Sequence, residues 1–376
     1  MKLPPFKFVT ADSDWQNTLE RLQLEDRIAI DLEANSLFAY RERVCLIQIS
    51  ITGQDYIIDP LTDLDLSGLG AIIRDPKVEK VFHAAEYDLI LLKRQYGWVL
   101  KNLFDTMWAA RILGYARCGL ANLLNKFYNV KLDKRHQKAN WSKRPLPENQ
   151  LTYAQMDTHF LLSLRDKFEA ELQAKGRLEE AQEIFREQSR VQVNSSKFDP
   201  NSFWSISGVH DLKPQQQAIV KALHVYRNKL ASQQDRPPFK VYDDRTIIEL
   251  AATEPKQIED LPDLHGMSKG QIRRYGRQLL RVIAEAQQAP VPKRPRTNSR
   301  RPPDEIVNRY ERLRNWRKKR AQARGVESDV ILSRDILWDL AWENPQTPEE
   351  LDAIRSLGPW RQEEYGDEIL YVLHKV

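Results

Sequence analysis

The sequence predicts an α/β protein: a mixed sheet flanked by helices over residues 1–180, followed by two small all-α domains at 213–289 and 304–376. Three observations predict it. Short apolar runs alternate with helical patterns in the first half, as in a layered sheet. The second half matches itself after a shift of 90 residues. The stretches joining these parts are polar (181–212, a linker or docking segment) and Pro-rich and basic (290–303, an extended linker).

Each element follows from its own pattern. "RIAIDLEA", "VCLIQISI" and "DYIIDP" are apolar runs of strand length, and the turn-like "NSLFAYRER" and "TGQ" between them suit an antiparallel meander. "LTDLDLSGLGAIIRDP" is an amphipathic helix ending before Pro76. "EKVFHA" is a short strand, and "EYDLILLKRQYG" is a helix closed by Gly97. Two helices follow near "DTMWAARILG" and "GLANLLNKFY", and a long helical segment spans 147–175. In the second half the 90-residue shift pairs Tyr226-Arg227 with Trp316-Arg317 and Leu250-Ala251 with Leu340-Ala341. It also pairs Leu261 with Leu351, and Tyr275-Gly276 with Tyr365-Gly366, without a gap. Two copies of one small helical domain are expected.

Composition excludes several classes. The chain has 376 residues, 41% hydrophobic and 30% charged, enough for real cores beneath a well-solvated surface. No apolar run reaches the roughly 18 residues of a membrane span, and "MKLPPFKFVT" lacks the apolar core of a signal peptide. Cys45 and Cys118 are the only cysteines, so no disulfide framework is implied and a cytoplasmic setting is expected. The net charge of +5 is unevenly spread: residues 290–324 carry +10, whereas residues 325–376 carry −8. Such a basic band suggests a polyanionic partner. Arg309, Arg312, Arg314, Arg317, Lys318, Lys319 and Arg320 crowd the start of the second copy as candidates to grip a phosphate backbone.

The chemistry is carried by acids in apolar surroundings. In "IAIDLEANSL", Asp31 and Glu33 are two apart on a strand and face the same side. Two close carboxylates repel unless a cation lies between them, and oxygen ligands favour a hard ion such as Mg²⁺ or Mn²⁺. "VFHAAEYDLILL" places Asp88 in the first turn of a helix among leucines. "YAQMDTHFLL" places Tyr153 and Asp157 four apart on one helix face bordering a core.

Asp31, Glu33, Asp88, Tyr153 and Asp157, in that order and spacing, resemble the three motifs of the DEDD superfamily of 3′-to-5′ exonucleases, in its tyrosine-bearing branch. "WSKRPLPENQLTYAQMDTHFLL" and "VCLIQIS" extend the resemblance, and the repeats resemble HRDC domains. One position departs from the pattern: many members carry Asn five residues before the second-motif Asp, where this chain has His83. The resemblance implies a ribonuclease H-like sheet and two divalent cations, Mg²⁺ or Mn²⁺, held by Asp31, Glu33, Asp88 and Asp157. It also implies hydrolysis of RNA from a free single-stranded 3′ end, with tRNA precursors as the substrate, and Tyr153 orienting the attacking water. Phe38, Tyr40, Gln48, His83, Trp141 and Arg144 lie near the motifs in sequence and are candidate substrate contacts. A DNA-directed exonuclease is the alternative, since the acids would be the same and discrimination rests on 2′-OH contacts. A non-catalytic RNA-binding scaffold fits less well, because crowded acids with no use would be a stability liability. No G-x-x-x-x-G-K-[ST] phosphate loop is present, so the chain is not itself a helicase.

Overall fold

The computed structural model describes residues 3–193, 197–294 and 302–374, the Lys134 side chain excepted. Part of the expected 290–303 linker, residues 295–301, lies outside them. The strands are β1 (Lys7–Val9), β2 (Arg27–Ala34), β3 (Val44–Ile51), β4 (Gln54–Ile58), β5 (Glu79–Phe82) and β6 (Leu103–Asp105). Around them lie α1 (Asp12–Leu22), α2 (Ser67–Arg74), α3 (Glu86–Tyr96), α4 (Thr106–Ile112), α5 (Leu120–Tyr128), α6 (Glu148–His159), α7 (Leu161–Ala174) and α8 (Leu178–Gln188). The first helical copy is α9 (Pro214–Gln233), α10 (Asp244–Thr253) and α11 (Lys269–Gln287). The second is α12 (Asp304–Arg324), α13 (Ser328–Ile331), α14 (Arg334–Glu343), α15 (Pro348–Asp352) and α16 (Pro359–His374).

The strands form one mixed sheet in the order β1-β4-β3-β2-β5-β6. β2, β3 and β4 make the expected antiparallel meander, while β1–β4, β2–β5 and β5–β6 pair in parallel. Strands β1 and β6 are three residues each, too short to show a period in the sequence. The segment 147–175 is two helices rather than one. The break falls at Phe160, where the His159 ring is tied to Asp55 at 2.7 Å and packs edge-on against the Phe160 ring.

The expected boundary at residue 180 falls inside α8. This helix reads as polar, yet it buries Ala181, Ile184 and Phe185 in the core of the sheet. Of the 181–212 stretch, Phe203, Ile206 and Val209 belong to the core of the first helical copy. The chain divides into two compact units, one of residues 1–34, 44–193 and 299–376, the other of residues 35–43 and 194–298.

In the unit that carries the sheet, the second helical copy is held by ion pairs. Arg324 makes a two-pronged bond to the fully buried Glu180 of α8 at 2.5 and 2.6 Å. Arg361, itself buried, lies 3.6 Å from Glu183 and 2.9 Å from Glu187, and Arg111 of α4 holds Asp329 and Glu327. Much of the basic crowd on α12 is engaged internally. Arg309 donates to the Ala341 carbonyl, Arg312 to that of Leu373 and Arg317 to that of Leu332. Arg314 pairs with Glu311, and Arg320 lies near Glu364 and Glu368.

The unit with the first helical copy has its own core around Ile219, Leu223, Leu250, Leu279 and Ile283. The repeat is exact in register: adding 90 to the bounds of α10 gives those of α14. Gly276 of α11 lets Leu261 approach, and its counterpart Gly366 of α16 does the same for Leu351. A Cβ would stand 3.2 Å from the leucine in either copy.

Candidate active site

Strand β2 lays down the first two acids. Its register places Asp31 opposite Gln48 and Glu33 opposite Leu46, so these four side chains share one face of the sheet. Helix α6 covers that face. It is pinned there by Asp55 of β4, which accepts bonds from Ser50 and Gln155 at 2.6 Å each and meets the His159 ring at 2.7 Å. Burial alone would raise the Asp55 pKa, but the bonds from His159, Ser50 and Gln155 outweigh it and hold it below the usual carboxylate range. Tyr153 and Asp157 project from the same helix, both buried, and the tyrosine hydroxyl is hydrogen-bonded to Asp157.

The remaining acid comes from α3. Asp88 is buried in its first turn, where the helix dipole favours a carboxylate. The turn before α3 is fixed by Asp105, at the end of β6. Its carboxylate accepts four backbone N–H bonds, from Ala84 (3.1 Å), Ala85 (2.8 Å), Met107 (2.8 Å) and Trp108 (3.2 Å). This clamp holds Ala84 in the left-handed region (φ 63°), which costs a non-glycine residue about 1–2 kcal/mol. Asp105 was not among the sequence candidates. Its signal was present in "FDTMW", where an acid stands at the N-cap of a helix.

Electrostatics set these acids apart. Asp31, Glu33 and Asp157 each offer a carboxylate oxygen, and these atoms lie within 4.8 Å of one another. Burial pushes Asp31 up to about 7. Burial, followed by the charges of Asp31, Asp157 and Asp88, pushes Glu33 well above its usual range. Asp88 and Asp157 are raised for the same two reasons, burial first and neighbouring carboxylates second. Among the described residues no Lys or Arg pairs with any of the four. Gln48, fully buried and opposite Asp31, has neither amide atom hydrogen-bonded within the described chain. Clustered oxygen donors with no cationic side chain, beside an unsatisfied amide, fit a hard divalent cation with its waters. Tyr153 is held protonated: burial, and then the charges of Asp157, Glu33 and Asp31, raise its pKa far beyond that of a free phenol.

The weaker candidates separate. His83 is a neutral imidazole, its pKa lowered to about 4 by burial. Thr106 Oγ1 donates to the Phe82 carbonyl at 3.0 Å, so His83 Nδ1 donates to Thr106 at 2.9 Å and leaves Nε2 bare. Trp141 is buried and packs against Tyr153 with ring centroids 6.1 Å apart. Arg144 is turned inward. It bonds both oxygens of buried Asp59 and the carbonyls of Cys45, Trp141 and Lys143. Those bonds lock the 141–146 stretch beneath Tyr153, so Arg144 supports the site from within. Phe38 and Tyr40 belong to the other unit, where Lys240 lies over the Phe38 ring and the Tyr40 hydroxyl donates to Asn228. His136, missed in the sequence, has its ring 5.8 Å from that of Tyr153.

Comparison with known proteins agrees with this geometry. Residues 6–173 match the 3′-5′ exonuclease domain family, and residues 216–283 and 307–373 each match the HRDC domain. Ribonuclease D of Acidiphilium cryptum is 31% identical, over 93% of this chain and 88% of that protein. Protein RRP6-like 2 of Arabidopsis thaliana is also 31% identical, over 76% of this chain, which spans about a third of that longer protein (34%). The crystal structure of Escherichia coli RNase D superimposes with a TM-score of 0.68 at 25% identity, covering 98% of this chain and 99% of that one. Divalent-metal dependence accompanies that exonuclease family and suits the acid cluster. With likeness running along nearly its whole length and the acids gathered beneath α6, the chain belongs to the ribonuclease D family and is a 3′-5′ exoribonuclease with two HRDC domains.

Proposed function

We propose that the chain hydrolyses phosphodiester bonds one after another from the single-stranded 3′ end of RNA, in tRNA 3′ maturation, with two divalent cations, Mg²⁺ or Mn²⁺. The observation that carries this is the gathering of carboxylate oxygens of Asp31, Glu33 and Asp157 within 4.8 Å, with Asp88 beside them and no cationic side chain among the described residues to neutralise them. RNA as substrate is supported by the ribonuclease D relative and by the E. coli neighbour, described as acting in structured RNA processing. A cytoplasmic setting is supported by Cys45 and Cys118 both being thiols and not joined in a disulfide.

Asp31, Glu33 and Asp157 would hold one cation, and Asp31 with Asp88 the other. Bound there, the ions supply neutralisation of the anionic phosphodiester and a lower pKa for the attacking water. Tyr153, which keeps its proton, orients that water by hydrogen bonding and does not remove its proton. Asp55 and Asp105 act by positioning: the first fixes α6 through the Gln155 and His159 side chains, the second fixes the turn before α3 through backbone N–H groups.

A time course on 3′- and 5′-labelled RNA with Mg²⁺, Mn²⁺ or EDTA tests the whole reading. Shortening from the 3′ end with either ion and none in EDTA is expected, and undiminished cleavage in EDTA refutes it. Matched DNA, if degraded faster than RNA, favours the DNA-directed alternative. Tyr153→Phe is expected to lower turnover by about 10–100-fold, the worth of one hydrogen bond to a charged group. The thermal shift on adding Mn²⁺ should survive in that variant; unchanged turnover removes the role.

The acids also fix a pH dependence. Their folded-state pKa values lie above those of the unfolded chain, so their contribution is fully present in acid and fades as pH rises through the folded values. The metal-free protein should therefore melt lower at pH 8 than at pH 5.5. The gain in melting temperature on adding Mg²⁺ or Mn²⁺ should be larger at pH 8, because binding needs the ionised acids. A gain independent of pH in a scanning-fluorimetry series would contradict the assignment of the ligands.

A further inference from the structure

The two helical copies share a core register but carry opposite charge on their last helix. In the first copy, Lys269, Arg273, Arg277 and Arg281 follow one another at four-residue spacing along α11, with Arg274 alongside, and all five are exposed. In the second copy the same positions of α16 are Pro359, Glu363, Asp367, Tyr371 and Glu364. The use of those charges differs as well. Glu364 of α16 lies near Arg320 and Arg177, and α12 directs its arginines to carbonyls and acids of its own unit. On α11, Arg281 pairs with Glu285 and Arg274 lies over the Tyr275 ring. Lys269, Arg273 and Arg277 have no ion-pair partner among the described residues.

Like charges four apart on a helix repel one another. The stripe thus weakens α11 slightly unless a polyanion covers it. Among the described residues the α12 arginines are engaged by carbonyls and acids of their own unit, and only Lys318 and Lys319 of that helix, side by side in the chain, have no such partner, whereas Lys269, Arg273 and Arg277 of α11 stand unpaired in one row.

We infer that the exposed stripe Lys269-Arg273-Arg277 on α11 of the first HRDC copy is the backbone-holding surface for RNA, and that the second copy has given up that role. The inference rests on the exoribonuclease reading for its choice of RNA. It requires phosphate contacts that are blind to sequence and sensitive to salt.

The test uses the full chain in EDTA, so that binding is read without cleavage. Fluorescence anisotropy of a labelled single-stranded RNA is followed from 50 to 300 mM salt. Arg273→Ala with Arg277→Ala should reduce the slope of log affinity against log salt by about 1.4, at about 0.7 per phosphate on a single strand. Affinity at low salt should fall about tenfold for every RNA sequence tried. Arg273→Glu with Arg277→Asp, which installs the acids α16 already carries, should weaken binding further while the protein melts normally. Lys318→Ala with Lys319→Ala on α12 should change neither measure. An unchanged slope in the α11 variants overturns the inference, as does a larger loss in the α12 variant. Anionic phospholipid vesicles that displace RNA from wild type but not from the α11 variants would reassign the stripe to a membrane and overturn it too. Wild type that binds RNA with the full slope yet never cleaves it with metal present sinks the activity reading and leaves the stripe standing.

Discussion

Asp31→Asn is expected to lower RNA hydrolysis by about 10³–10⁵-fold and, in the metal-free protein, to raise the melting temperature. Both effects follow from one position. Asp31 is the neighbour whose charge acts on Glu33, Asp88 and Asp157 alike, and it is the carboxylate proposed to serve both ions. Losing it removes several kcal/mol of charge stabilisation in the transition state, at one decade per ~1.4 kcal/mol. The amide that replaces it keeps the shape and removes the charge that the other three acids oppose. Without metal that relief should raise the melting temperature by roughly a few degrees, and addition of Mn²⁺ should then add little. Labelled-RNA cleavage and scanning fluorimetry read the two effects separately. Activity within tenfold of wild type, or a metal-free variant that melts below wild type, would count against the cluster as a cation site.

Arg324→Leu is expected to produce the largest loss of stability. Arg324 leaves the end of α12 and meets Glu180, which has no exposed surface. The other cation near Glu180 is Arg177, at 3.7 Å. Removing one partner of a buried pair costs about 3–5 kcal/mol, because the remaining charge keeps its desolvation penalty. The melting temperature should fall by roughly 10 °C at 2–4 °C per kcal/mol. Glu180→Leu combined with Arg324→Leu should recover part of the loss, since apolar groups of similar size satisfy each other. Thermal melts of the two single variants and the double variant form a cycle. Additive losses would show that the pair does not couple the second helical copy to α8.

The site was legible in the sequence because its physics is local. Asp31 and Glu33 stand out in an apolar strand, and Tyr153 and Asp157 are one helical turn apart. The meander and the 90-residue repeat were legible for the same reason, as periodic patterns within short windows. What escaped depends on partners far away in the chain. Helix α8 reads as polar because Glu180 and Glu183 look like solvated acids; their arginines stand 144 and 178 residues later. Arg144 looks like a substrate contact until Asp59, 85 residues earlier, is found beneath it. The crowd of arginines on α12 looks like a nucleic-acid patch until each carbonyl and acid that receives it is located. Charge is the least local property of a sequence, and there the reading failed most.

The paired glycines at 276 and 366 carry a historical meaning. Each admits the same leucine, as two copies descended from one unit would, while the last helices of the copies now carry opposite charge. The two copies therefore share this contact, and the Leu250-Ala251 and Leu340-Ala341 pairs, inside and differ in charge outside. Grafting the outward-facing residues of α11 onto α16 should transplant a surface without disturbing the packing beneath it.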